Sequence, residues 1–206
     1  MLKVCESFFS IQGETSFVGL PAFFIRLSGC NLKCSWCDTR HSFLEGELRS
    51  IENLLKEVEE SGAPLVALTG GEPLIQEKAY PLMEKILSEG YELLLETNGS
   101  MDISQVPAGV RVILDIKPPS SGESGSMDFK NISRLDELGE LKFVIADVED
   151  FRWALSILKD YGRPKGEILF SPIEEKISFK RLAELIMKDF PTGRIQGNLH
   201  RRYGMK

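Results

Sequence analysis

VRVILDI (Val110–Ile116) is apolar at every position but two. That is too continuous for a strand with one face in water, and it suits a strand covered on both faces by helices. LKFVIA (Leu141–Ala146) reads the same way, and Ala22–Ser28, Leu65–Thr69, Tyr91–Glu96 and Glu167–Ser171 complete a set of six short strands. Amphipathic stretches lie between them. Ile51, Leu54, Leu55 and Val58 fall at i, i+3, i+4 and i+7 behind a candidate cap at Ser50, the spacing of one helical face. Leu82, Met83, Ile86 and Leu87 repeat the pattern, as do Phe151, Ala154, Leu155 and Leu158, then Phe179, Leu182, Ala183 and Ile186. Strand and helix alternating in this way predict parallel βαβ units, and six units are too few to close an eight-stranded barrel. The expectation is an α/β protein with a partial (β/α)6-type barrel in a single domain over residues 1–206. The stretch KPPSSGESGSMD (Lys117–Asp128) has a linker's composition, but the alternation continues on both sides of it, so it reads as a long loop within that domain.

A chain of 206 residues and 23.1 kDa buries roughly 70% of the surface its unfolded form exposes and needs no disulfide staples. Its 42% hydrophobic and 27% charged residues exclude collagenous and disordered classes. No apolar run approaches the roughly 18 residues that span a bilayer, and the opening MLKVCESFF lacks the regions of a signal peptide. A cytoplasmic location is expected. The net charge of -6 is the wrong sign for a polyanion, so neither nucleic acid nor membrane is an expected partner.

Three of the four cysteines, Cys30, Cys34 and Cys37, are gathered in CNLKCSWC, and Cys5 stands apart in KVCESFF. Clustered thiols in a reducing compartment favour a metal over a disulfide, whereas Cys5 reads as a small buried hydrophobe. A structural zinc site wants four ligands; Asp38, His41 or Cys5 could supply the fourth, and a non-catalytic zinc or iron-sulfur module remains open on the residues alone. An iron-sulfur cube held by three cysteines instead leaves one iron without a protein ligand. The loop follows the first of the six strands, at the edge where α/β proteins place their ligand sites.

The CxxxCxxC spacing, with Trp36 before the last cysteine, resembles the signature of radical S-adenosylmethionine enzymes. That resemblance implies a 4Fe-4S cluster on Cys30, Cys34 and Cys37, with adenosylmethionine on the open iron. Thr69-Gly70-Gly71-Glu72-Pro73 resembles the same superfamily's GGE motif, with Glu72 able to accept hydrogen bonds from the methionine ammonium; read alone it is a glycine-rich turn with Pro73 opening a helix.

Further motifs in order along the chain are SIQGE (Ser10–Glu14), Arg26, CDT (Cys37–Thr39), Asp115-Ile116-Lys117, Ser171-Pro172-Ile173-Glu174 and His200. Together they resemble the 7-carboxy-7-deazaguanine synthases, over nearly the whole chain. The resemblance implies radical ring contraction of 6-carboxy-5,6,7,8-tetrahydropterin, with loss of ammonia, on the way to queuosine and related deazapurines. It implies substrate contacts at Ile11, Gln12, Gly13, Glu14, Arg26, Thr69, His200 and Lys206. It assigns adenosylmethionine to Trp36, Cys37, Asp38, Gly71, Glu72, Asp115, Ile116, Lys117, Ser171, Pro172, Ile173 and Glu174, and magnesium to Thr39. Residues 1–21 and 191–206 become substrate-pocket extensions, and a homodimer reduced by a donor such as flavodoxin is implied. Two positions depart from the family: Arg201 stands where lysine is frequent, and the chain ends in Lys206. Arg26 also reads as a strand-end salt bridge, His200 as a surface residue, and Thr39 as a plain loop hydroxyl. The tail from 191 carries Arg194, Arg201, Arg202 and Lys206 without an acid, either a solvated patch or a site for an anionic substrate or acidic donor. A glycyl-radical activase shares the cysteine spacing but gives SIQGE, Arg26 and His200 no task.

Overall fold

The computed structural model describes residues 1–205. Its strands are β1 (Leu2–Ile11), β2 (Pro21–Leu27), β3 (Glu47–Arg49), β4 (Leu65–Gly70), β5 (Glu92–Thr97), β6 (Arg111–Ile116), β7 (Glu140–Ile145), β8 (Glu167–Pro172) and β9 (Arg194–Ile195). They form one sheet in the order β3-β1-β2-β4-β5-β6-β7-β8-β9. From β2 through β9 every pairing is parallel, whereas β1 runs antiparallel to both β2 and β3. The sheet does not close, because β3 and β9 are its two edges. Helices α1 (Ile51–Ser61), α2 (Ala79–Ser88), α4 (Val148–Tyr161) and α5 (Phe179–Asp189) follow the four apolar stripes, and short helices α3 (Asn131–Arg134) and α6 (Leu199–Tyr203) join them. Ser50 caps α1 by accepting the Asn53 N–H at 3.2 Å, satisfying one of the orphan donors of the first turn.

Alternation along the strands sorts the side chains into two layers. Val66 and Leu68 of β4 and Leu141, Phe143 and Ile145 of β7 belong to the main core, the layer between sheet and helices. Leu65 and Ala67 of β4 join Ala22, Phe24 and Leu94 in a second, small core on the concave face. Phe8 of β1 stacks on Phe24 with ring centres 5.1 Å apart, flooring that face with apolar groups and leaving its upper end to polar ones.

The six expected strands are β2 and β4 to β8, and each boundary lies within a residue of its expected place. β1 was not expected. Its register shifts between Val4 and Glu6, so the two-residue period that marks a half-buried strand is broken at mid-length. Edge strands of three and two residues, β3 and β9, are too short to leave a pattern. The Lys117–Asp128 stretch is a loop, as read, with two short 3-10 turns at Pro119–Ser121 and Ser124–Ser126.

Candidate active site

A cavity of about 660 Å³ opens at the carboxyl ends of the parallel strands, and Cys30, Cys34 and Cys37 line it together. The cysteine loop leaves β2 through Gly29, whose N–H reaches the Ser42 carbonyl at 2.8 Å, and Cys34 is buried while Cys30 and Cys37 are half-buried. The 117–128 loop braces it: Ser35 donates its N–H to Ser121 O at 2.9 Å and its hydroxyl to Ser120 O at 2.8 Å, and Trp36 Nε1 donates to Ser120 Oγ at 3.3 Å. Ser120 is anchored in turn, giving its N–H and hydroxyl to the buried Asp150 carboxylate at 3.2 and 2.5 Å.

Burial pushes the Cys30 thiol up and the Cys34 thiol up to about 11. Strong positive charge, such as iron supplies, is what would turn these thiols into thiolates.

The glycine turn after β4 lies against the cysteine loop so closely that a Cβ on Gly71 would stand 2.2 Å from Gly29 O and 2.7 Å from Cys30 Cβ. Only glycine lets the two backbones meet. Glu72 does not face the cavity. Fully buried, it accepts from Leu74 N at 3.0 Å, Asn98 N at 2.7 Å and the Thr97 hydroxyl at 2.9 Å. These three donors tie the β4 turn to the end of β5 and leave one of the carboxylate's roughly four acceptor positions unused.

A chain of alternating charges crosses the cavity wall. Lys117 Nζ lies 3.1 Å from Asp115 Oδ2, and Lys142 Nζ lies 3.3 Å from the same oxygen while also pairing with Glu14. Burial opposes ionisation of Asp115, but Lys117 and Lys142 outweigh it and hold its carboxyl below the usual range. Burial likewise opposes the Lys142 charge, and Glu14 and Asp115 outweigh it and raise its pKa. Asp115 Oδ1 is buried without a hydrogen-bond partner among the described residues, an acceptor left open toward a ligand. Lys117 Nζ also sits 5.4 Å from the Trp36 ring centre, within cation–π range.

Elsewhere in the cavity wall, Gln12 Nε2 and Thr69 Oγ1 donate to the two oxygens of Glu96 at 3.1 and 2.9 Å. Arg26 Nε pairs with Glu6 at 2.9 Å. Of the residues singled out in the sequence, Ile11, Gln12, Glu14, Arg26 and Thr69 line this cavity, as do Trp36, Asp38, Thr39 and Gly71. Asp115, Lys117 and Ser171 to Glu174 line it too. Gly13 and Ile116 are buried and do not line it; Ile116 points into the main core. Lys206 lies outside the described residues, and so does the side chain of His200, which falls within α6. Glu96, Asn98, Lys142 and Asn198 line the cavity without having been singled out for it, and Arg201 and Arg202 of the basic tail line it too. For Lys142 the signal was available: a lysine inside an otherwise apolar strand run is costly unless it is paired.

The Radical SAM superfamily model matches residues 24–186. A 7-carboxy-7-deazaguanine synthase of Koribacter versatilis is 38% identical over 85% of this chain and 79% of its own length. The chain belongs to the 7-carboxy-7-deazaguanine synthase family of radical SAM proteins. Another member of the family, from Chlorobaculum tepidum, is 36% identical over 97% of this chain and 93% of its own. In fold, the chain resembles the crystal structure of QueE from Escherichia coli, with a TM-score of 0.73 at 24% identity over 97% of this chain and 94% of that one. It also resembles Streptococcus suis SuiB bound to its precursor peptide, with a TM-score of 0.62 at 14% identity over 85% of this chain and 48% of that one. Membership of the radical SAM family implies a 4Fe-4S cluster and S-adenosylmethionine. The three cysteines lining one cavity, the close Gly71 turn and the open Asp115 oxygen fit both. No helix among the described residues is long and apolar enough to cross a membrane.

Proposed function

We infer that this chain converts 6-carboxy-5,6,7,8-tetrahydropterin to 7-carboxy-7-deazaguanine with loss of ammonia. The observation that carries the reading is one cavity lined both by the three cysteines and by Glu14, Arg26 and Thr69, inside a chain that matches this family along nearly its full length.

Cys30, Cys34 and Cys37 would hold the cluster, and Trp36, Asp38, Gly71, Asp115, Lys117 and the 171–174 strand end would hold adenosylmethionine beside it. When bound, the pair supplies a 5'-deoxyadenosyl radical, the reagent that takes a hydrogen atom from the substrate. The chain's own work is positioning and exclusion of water. Glu14 accepts from an N–H on the amino-lactam edge of the pterin, and Ile11 and Gln12 line the cavity beside it, while Gly13 shapes the turn behind them through its carbonyl, which accepts the Leu199 N–H at 3.0 Å. The Arg26 guanidinium has its Nε edge on Glu6, which leaves its terminal nitrogens for the substrate carboxylate in a charge-assisted contact. Arg201 and Arg202 stand at the same cavity and add positive charge toward an anionic substrate, with His200 and Lys206 beside them in sequence. Thr39, 3.7 Å from Cys37 Sγ through its hydroxyl, is the residue for a magnesium ion that keeps waters and substrate oxygens as its other ligands. A homodimer, reduced by flavodoxin in the cytoplasm, completes the reading.

The test is incubation of the reduced, cluster-loaded protein with adenosylmethionine, magnesium and the carboxytetrahydropterin. The mass of 7-carboxy-7-deazaguanine in the product supports the reading; unchanged substrate with a loaded cluster rejects it.

A further inference from the structure

The inward face of β7 binds the N-terminal loop at two points. Glu140 accepts the Ser16 N–H at 3.0 Å, and Lys142, one step up the same face, pairs with Glu14. Between them Thr15 is buried with a left-handed backbone, φ 69°, a conformation that costs a non-glycine residue free energy and persists only where its surroundings impose it. Its N–H donates to Gln196 Oε1 at 2.8 Å. The loop is therefore clamped from two strand regions, and the Glu14 carboxylate is its functional end.

Glu14 has few acceptor positions left. An ionised carboxylate offers about four lone-pair sites. Lys142 takes one on Oε2, Gln196 Nε2 shares that oxygen at 3.5 Å, and Asn198 Nδ2 takes one on Oε1 at 2.6 Å. Lys142 cannot drift, because it is 8% exposed, stands on a strand paired on both sides, by β6 and β8, and is drawn to Asp115 as well as to Glu14.

We propose that Lys142 is a positioning residue for substrate recognition: it fixes the Glu14 carboxylate so that one acceptor position is left open, and that position selects a single N–H donor. The proposal rests on the reading of Glu14 as a substrate contact given above. It states why a cation is built into the apolar strand LKFVIA, and it makes the contribution of Lys142 dependent on Glu14.

The test is a double-mutant cycle read by equilibrium binding. Calorimetry measures 6-carboxypterin, the oxidised and unreactive relative of the substrate, on the wild type, Lys142→Met, Glu14→Gln and the double variant. Each single change weakens binding about tenfold or more, and the double variant binds no more weakly than Glu14→Gln, because Lys142 acts through Glu14. In turnover, Lys142→Met raises KM for the carboxytetrahydropterin more than it lowers kcat. A double variant weakened by the product of the two single effects, or a Lys142→Met protein that binds as the wild type does, overturns the proposal while the Glu14 reading stands. A Glu14→Gln protein with unchanged binding instead overturns the Glu14 reading and the proposal with it. Should Lys142→Met not fold, Lys142→Gln, which keeps a donor without the charge, takes its place in the cycle with the same two outcomes.

Discussion

The carboxylate of Glu72 accepts the backbone N–H of Asn98 at 2.7 Å, so the glycine turn after β4 and the end of β5 are joined by one buried side chain. The join sets the spacing of two strand ends that both line the cavity.

Replacing Glu72 by alanine strands three buried donors, Leu74 N, Asn98 N and the Thr97 hydroxyl. The protein without its cluster is expected to lose about 3 kcal/mol or more of stability, read as a lower urea midpoint. A variant as stable as the wild type would show that the join carries no load.

Most of the sheet was legible because a parallel strand covered on both faces is an apolar run of fixed length, and β4 to β8 are such runs. What escaped was set by tertiary pairing. β1 hides behind its register shift at Val4 and Glu6, and β9 has only two residues. In the site, the cysteines and the glycine turn were legible because their spacing is local. Lys142, Glu96 and Asn198 come from three separate segments, which no local pattern encodes, and the same holds for the buried hydrogen bonds by which Glu72 reaches Thr97 and Asn98.

Asp150 holds Ser120, and Ser120 holds Trp36. Asp150→Ala frees the 117–128 loop and leaves the Ala146 N–H without the acceptor it has at 3.0 Å. The expected result is a loss of about 2 kcal/mol together with faster removal of iron by a chelator. Iron release at the wild-type rate would uncouple that loop from the cysteines.

Gly71→Ala places a methyl group 2.2 Å from Gly29 O, a backbone atom that cannot swing aside. The β4 turn and the cysteine loop must separate, and iron content after anaerobic reconstitution should fall well below that of the wild type. Full loading would mean that the two backbones yield easily.

Asp115 is ionised in the fold with its carboxyl held below the usual value. Its stabilising contribution is present above the unfolded value, about 3.9, and is lost as pH falls through the lower folded value. Urea unfolding should therefore show Asp115→Asn to be much less stable than the wild type at pH 7. The gap should begin to narrow as pH falls below about 4 and close only once pH has passed the lower folded value, where the carboxyl becomes neutral in the fold as well; a gap independent of pH would place its cause elsewhere.

The central claim is that Cys30, Cys34 and Cys37 hold a cluster with one iron free for adenosylmethionine. Electron paramagnetic resonance of the reduced protein, recorded with and without adenosylmethionine, tests it most directly. A 4Fe-4S signal that changes when adenosylmethionine is added, is lost when any of the three cysteines becomes alanine and survives Cys5→Ser is the predicted result. A signal indifferent to adenosylmethionine, or a protein that takes up no iron under anaerobic reconstitution, would contradict the account.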